Sequence, residues 1–170
     1  MAKEGTNAVV DDILTTLNAA NGYLAARLDA QEADYGDGIT LPDTADRDMF
    51  FGDSAELPPP QNFPSIYVLP RGWTQGELLY GSKDQNHSID IQVYMAHTVH
   101  ATLTKMLYRY ARAIELVLED KFVSTSSTCF DMTWIGVTYS PSVYWQETGM
   151  LIQGVELNGI FNERVTRPFS

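Results

Sequence analysis

The residues best suited to chemistry in this chain are one cysteine, three histidines and a dense set of aspartates. Cys129 is a nucleophile in principle, with His87, His97 and His100 as possible bases. A lone cysteine beside Phe130 at a strand start more commonly serves as a small buried hydrophobe, and that is the expectation here. His97 and His100 stand three apart, the start of a two-ligand zinc arrangement. Zinc needs three or four ligands, and no Cys, His or Glu at matching spacing completes the set. The aspartates invite a calcium reading, but the EF-hand order of alternating acidic ligands, a central glycine and a terminal glutamate is not met. Nucleotide loops of the G-x-x-x-x-G-K-[ST] or G-x-G-x-x-G type and the G-x-S-x-G elbow of serine hydrolases do not occur. Asn86-His87-Ser88 matches a glycosylation sequon, and without a visible secretory route it is read as chance. The expectation is a protein that is not an enzyme, with no catalytic, cofactor-binding or metal-binding residue.

Two other groups of side chains suit recognition. Residues 29–56 carry nine acidic residues against Arg47, which is −8 of the formal net charge of −11. Within them Asp34, Asp37, Asp43, Asp46, Asp48 and Asp53 are candidates to face a partner or a channel. Tyr144 and Trp145 are candidates for an interface, because tyrosine and tryptophan join a large flat surface to one polar tip.

These side chains must be held by one domain. A chain of 170 residues, 44% hydrophobic, has the length of a single domain and buries enough surface to fold without disulfides. With 11 basic residues against 22 acidic ones and no dense basic stripe, it is not expected to grip phosphate. Apolar runs are only a few residues long, so no spanning helix and no membrane association are expected. Residues 1–4 lead into no apolar run, so no secretion leader is expected either.

Periodicity places the elements. Val10, Ile13, Leu14, Leu17, Leu24 and Leu28 lie on one helical face and predict a first helix over residues 7–28, with Thr6 or Asn7 as its cap. Glycines and prolines predict little regular structure in an acidic excursion over residues 29–62, which ends in Pro58-Pro59-Pro60. The hydrophobic residues Ile39, Leu41, Met49, Phe50 and Phe51 imply that it orders against something, such as another subunit. Strands are predicted over residues 63–69, 73–80 and 88–96, the last with Ile89, Ile91, Val93 and Met95 inward and the alternate residues facing water. A second helix is predicted over residues 100–120, with Lys105, Arg109, Arg112 and Glu115 on its solvated face. Strands follow over residues 130–139 and 150–165, where Gly154 and Gly159 mark bulges or close contacts. The order helix, strands, helix, strands predicts an α+β sandwich of two helices on a mainly antiparallel sheet, with a long acidic loop.

That order resembles a known family. A leading amphipathic helix, the Pro-flanked Phe63-Pro64-Ser65-Ile66-Tyr67-Val68, the alternating Ile89-Asp90-Ile91-Gln92-Val93-Tyr94, a second helix ending at Glu119-Asp120 and a closing pair of long strands look like a tail-terminator protein of long-tailed bacteriophages. The resemblance spans nearly the whole chain and is one of pattern and size. It implies a structural virion protein that assembles in the host cytoplasm as a hexameric ring at the neck. Such a ring completes the tail tube, joins it to the head-tail connector or stopper and lets viral DNA pass through without specific binding. An acidic lumen would repel phosphate and so permit that passage. The acidic stretch departs from a minimal member of the family. Other neck rings, a stopper or an adaptor, are the nearest alternative, and an acidic DNA mimic is the alternative from a different class.

Overall fold

A computed structural model describes residues 5–53, 55–79 and 82–166. The leader expectation at residues 1–4 and Tyr80 of the second expected strand lie outside the described residues. The architecture is α+β: a six-stranded sheet with a layer of helices on one face. The helix layer has three helices rather than two, because the leading one divides. Helix α1 (Thr6–Leu17) ends where Asn18 turns extended, and its side-chain oxygen caps a short 3-10 turn at the Asn21 amide (3.1 Å). Gly22 then takes φ 67°, a left-handed conformation open to glycine at little cost, and α2 (Tyr23–Tyr35) sets off. The excursion therefore begins after Tyr35, and its expected first seven residues are helical. Helix α3 (His100–Val117) continues through a π-turn (Leu118–Phe122) and a last helical turn (Val123–Thr125).

The strands are β1 (Met49–Phe51), β2 (Ser65–Leu79), β3 (Ser82–His97), β4 (Cys129–Tyr139), β5 (Val143–Trp145) and β6 (Met150–Thr166). Their order is β1-β2-β3-β6-β4, and β5 pairs the start of β6 on the same side as β4. Only β1 and β2 run parallel. The centre is the long β3·β6 ladder, in register from Ser82↔Thr166 to His97↔Leu151. The two strands expected over residues 63–80 are one strand, β2, with irregular register after Pro70 and after Gln75. Pro70 is tolerated because β1 pairs β2 only at residues 66–68, so the proline nitrogen faces an open edge.

The core lies between this sheet and the helices. Leu103, Leu107, Tyr110, Ile114 and Val117 of α3 fall at three-and-four spacing and are buried against Ile89, Ile91 and Val93 of β3 and Val155, Leu157 and Phe161 of β6. Both glycines of β6 are close contacts, and the register shifts lie opposite in β4, between Cys129 and Asp131 and between Trp134 and Gly136. At Gly159 an added Cβ would stand 3.0 Å from the Phe161 ring and 3.3 Å from Trp134, which lies across it. Gly159→Val is therefore expected to destabilise the fold by about 1–3 kcal/mol through overpacking, read from the midpoint of chemical denaturation.

The acidic excursion orders against its own chain. Leu41 is buried, and its amide is bonded by Glu32. Thr44 and Tyr110 share a buried hydroxyl–hydroxyl bond of 2.7 Å. Arg109, expected on the solvated face of α3, is only 4% exposed. It donates through both terminal nitrogens to Asp37 (2.8 and 2.6 Å) and stacks on the Tyr35 ring at 3.9 Å. A guanidinium can be buried where a carboxylate fork and an aromatic face replace its water.

Candidate functional site

The six candidate aspartates divide by what their oxygens accept. Asp37 is spent on Arg109, with Lys105 at 3.7 Å, and the Arg109 fork holds its carboxyl well below the usual carboxylate range. Asp46 accepts the Ala19 amide at 2.8 Å and ties the excursion to the α1–α2 turn. Asp48 is buried and accepts from Asn62 at 3.0 Å. Asp34 and Asp43 are exposed, and the carboxylate of exposed Asp53 accepts the nearby Ala55 amide at 3.0 Å. The acidic cluster is thus partly internal bracing, with Asp34, Asp43 and Asp53 displayed outward. Among the described residues, no group of three or more His, Cys, Asp or Glu is placed to hold a metal ion. Likewise no described helix is long and apolar enough to cross a membrane.

Tyr144 and Trp145 lie on β5, a strand absent from the sequence expectation, and their side chains go to opposite faces of the sheet. Trp145 is half-buried and meets Phe63 edge-on at 6.1 Å, whereas Tyr144 is 60% exposed. Tyr144 has exposed company that sequence reasoning did not assign: Tyr139 on the same face, Tyr108 of α3, which contacts Tyr139 at 4.7 Å, and along the same edge Ile135 and Val143, the latter on the opposite face from Tyr144. Residues 132–146 contain no Asp, Glu, Lys, Arg or His. They run along β4 and β5, beyond which no further strand lies among the described residues. Edge strands usually carry charge to discourage pairing, and residues 132–146 lack it while exposing Ile135, Val143 and Tyr144. The opposite edge differs: β1 follows Asp46 and Asp48 and precedes Asp53.

Two polar clusters were also missed. In the first, His87 and Glu163, both fully buried, are joined at 2.8 Å. Glu163 also accepts the Gly5 amide (2.9 and 3.1 Å) and the Thr128 hydroxyl (3.0 Å), and Thr6 reaches His87 Nδ1 at 3.2 Å. Here the cap of α1 is a carboxylate from β6, not the side chain of Thr6 or Asn7. Burial pushes the Glu163 carboxyl up, but the donors from His87, Gly5 and Thr128 outweigh it and hold it below its usual value. The second cluster lies on the sheet face away from the helices. Arg71 pairs with Asp90, and Asn158 donates to Asp90 (2.6 Å) and Glu156 (3.1 Å). Gln92 donates to Glu156 (2.6 Å) and accepts from Tyr94 (3.1 Å).

Cys129 is buried, and burial pushes its thiol up to about 12. Thiolate is the reactive form, so Cys129 is expected to resist a thiol reagent at pH 8 in the native protein and to react at once in denaturant, followed by absorbance.

Fold and surface together define an α+β sandwich whose β4–β5 edge is free of charge over residues 132–146, whose β1 is flanked by Asp46, Asp48 and Asp53, and whose open face carries a polar cluster. A chain of "Virion of native gene transfer agent (GTA) particle" is similar to it at 12% identity, over 85% of this chain and 93% of that one, with a TM-score of 0.31. No protein-family model and no curated protein matches this sequence.

Proposed function

We propose that the chain is a structural subunit of a phage neck ring, the tail terminator that closes the tail tube and joins it to the head connector, without catalytic chemistry of its own. The observation that carries this reading is the unlikeness of the two sheet edges: residues 132–146 along β4–β5 carry no charge and expose Ile135, Val143 and Tyr144, whereas β1 is flanked by Asp46, Asp48 and Asp53. A surface of one kind opposite a surface of another favours head-to-tail contact between copies, and such contacts close into a ring when the rotation permits. The element order, which resembles that of tail terminators, supports reading that ring as a neck component. Asp34, Asp43 and Asp53, displayed outward, are the carboxylates available to line a lumen or meet a neighbour.

The test is the native mass of the purified protein over a concentration series, with negative-stain images of any large species. A closed ring of about six copies with a central hole is the expected result, followed by binding to purified tail tubes. A monomer at every concentration that also ignores tail tubes would overturn the reading. Inhibition of a DNA-binding enzyme by that monomer would favour a DNA mimic.

A further inference from the structure

The sheet face away from the helices is not bare. Tyr67 and Leu69 of β2 point to that face, yet they are only 5% and 1% exposed. Their cover is the strap Leu57-Pro58-Pro59-Pro60, which crosses the strands and lines a cleft of about 300 Å³ with Tyr67, Leu69, Gln92 and Tyr94. Residues 57–59 each precede a proline, which disfavours the helical region for them, and each proline fixes its own φ, so the strap favours polyproline II geometry. Polyproline II leaves its carbonyls without internal partners, and the Tyr67 hydroxyl donates to that of Pro58 at 2.8 Å. An aromatic floor with a hydroxyl aimed at a proline carbonyl is how proline-rich segments are read.

The same floor continues beyond the strap. Tyr67 meets Tyr94 edge-on at 5.6 Å, and Tyr94 lies over Gly154 of β6, where a Cβ would come within 2.8 Å of the ring. Gln92 and Tyr94 also line an adjoining cleft of about 180 Å³ with Ser140, Gly154 and Glu156. Its charge is net negative: Glu156 lies in the floor, where it accepts from Gln92 and Asn158 but keeps a 31% exposed side chain, Asp53 and Glu56 are exposed close to the strap in sequence, and Arg71 is engaged mainly by Asp90, with Glu156 at 3.8 Å.

We propose that this groove, from Tyr67 across Tyr94 to Glu156, is a recognition site for an extended proline-rich segment of a partner protein bearing a basic residue. The chain's own Pro58–Pro60 strap forms one wall and already displays the mode of binding. The partner's prolines stack on Tyr94 beside the strap, and its cation meets Glu156. The site centres on Tyr94 and Glu156 of the sheet face and meets the β4–β5 edge only at Thr138 and Ser140, and peptide binding is read separately from native mass, so failure of one proposal is distinguishable from failure of the other.

The experiment is fluorescence anisotropy with a labelled ten-residue proline peptide carrying an arginine at each end. The control is a glycine-serine peptide of the same length and charge. Saturable binding of the proline peptide and none of the control is expected. Tyr94→Ala should weaken it at least about tenfold, the loss typical of a central aromatic contact, Tyr94→Phe should retain it, and Glu156→Gln should weaken it less than Tyr94→Ala. If Tyr94→Ala fails to melt as a folded protein, Gly154→Ala, which lifts the Tyr94 ring, replaces it. Equal binding of both peptides, no binding of either, or binding indifferent to these variants would overturn the proposal.

Discussion

Val143→Asp combined with Tyr144→Asp is expected to reduce the proposed ring to its 19.0 kDa subunit while leaving the fold intact. Both side chains are mostly exposed, at 66% and 60%, so the folded subunit loses little packing. In the proposed ring they would be buried between copies, and two carboxylates placed there would have to be desolvated inside a contact between two chains of net charge −11. A central aromatic contact alone is worth about 2 kcal/mol or more per interface, and a closed ring repeats that loss at every contact. Sedimentation or mass photometry reads the assembly, and circular dichroism melting reads the fold. A double variant that still forms rings would remove β4–β5 from the interface. Lysine at both positions distinguishes desolvation from like-charge repulsion, because it disrupts burial while lowering the net negative charge.

Glu163→Ala is expected to cost several kcal/mol, at about 1–3 kcal/mol for each buried donor left without its acceptor. Its loss strips an acceptor from the Gly5 amide, the Thr128 hydroxyl and His87 at once, in a site from which water is excluded. Since the average domain is stable by only about 5–15 kcal/mol, a large fraction of the molecules should lose the docking of α1. Urea denaturation at pH 7 measures the size of the effect. The pH dependence carries its own sign. The folded carboxyl titrates below its ordinary value of 4.5, so its stabilisation is fully present above that value. It is lost as pH falls through the lower folded-state value, where the unfolded chain already binds the proton. The stability gap between wild type and Glu163→Ala should therefore narrow below about pH 4. A gap that stays constant down to pH 3 would mean that Glu163 acts by packing alone.

Periodicity made the large elements legible. The stripe of α3 and the inward Ile89, Ile91, Val93 and Met95 of β3 stand in the structure as the spacing predicts, because burial on one face imposes a repeat that survives in any sequence. The α+β class followed from their order. Short strands left no such trace: β1 and β5 have three residues each, less than two full repeats of a strand pattern, and exist because β2 and β6 offer free edges. Likewise the helix break at Gly22 was ambiguous, since a glycine is tolerated within a helix until the neighbouring turn demands a left-handed residue.

The side chains that matter for function were divided in the same way. Composition alone singled out the acidic stretch, and residue type alone singled out Tyr144 and Trp145. Tertiary structure decided which of them remain available. Asp37 is withdrawn by Arg109, 72 positions away, and Asp46 and Asp48 brace the loop, leaving Asp34, Asp43 and Asp53 displayed. Alternation along β5 sends Trp145 toward Phe63 and leaves Tyr144 exposed on the other face. His87 and Glu163 lie 76 residues apart, and Pro58 meets Tyr67 only because the strap folds back over its own sheet. Local sequence determines the conformations cheap for a short segment and the face it must bury. Pairing between distant polar groups depends on the register of strands and the path of loops, and those are fixed only when the whole chain minimises its exposed apolar surface together.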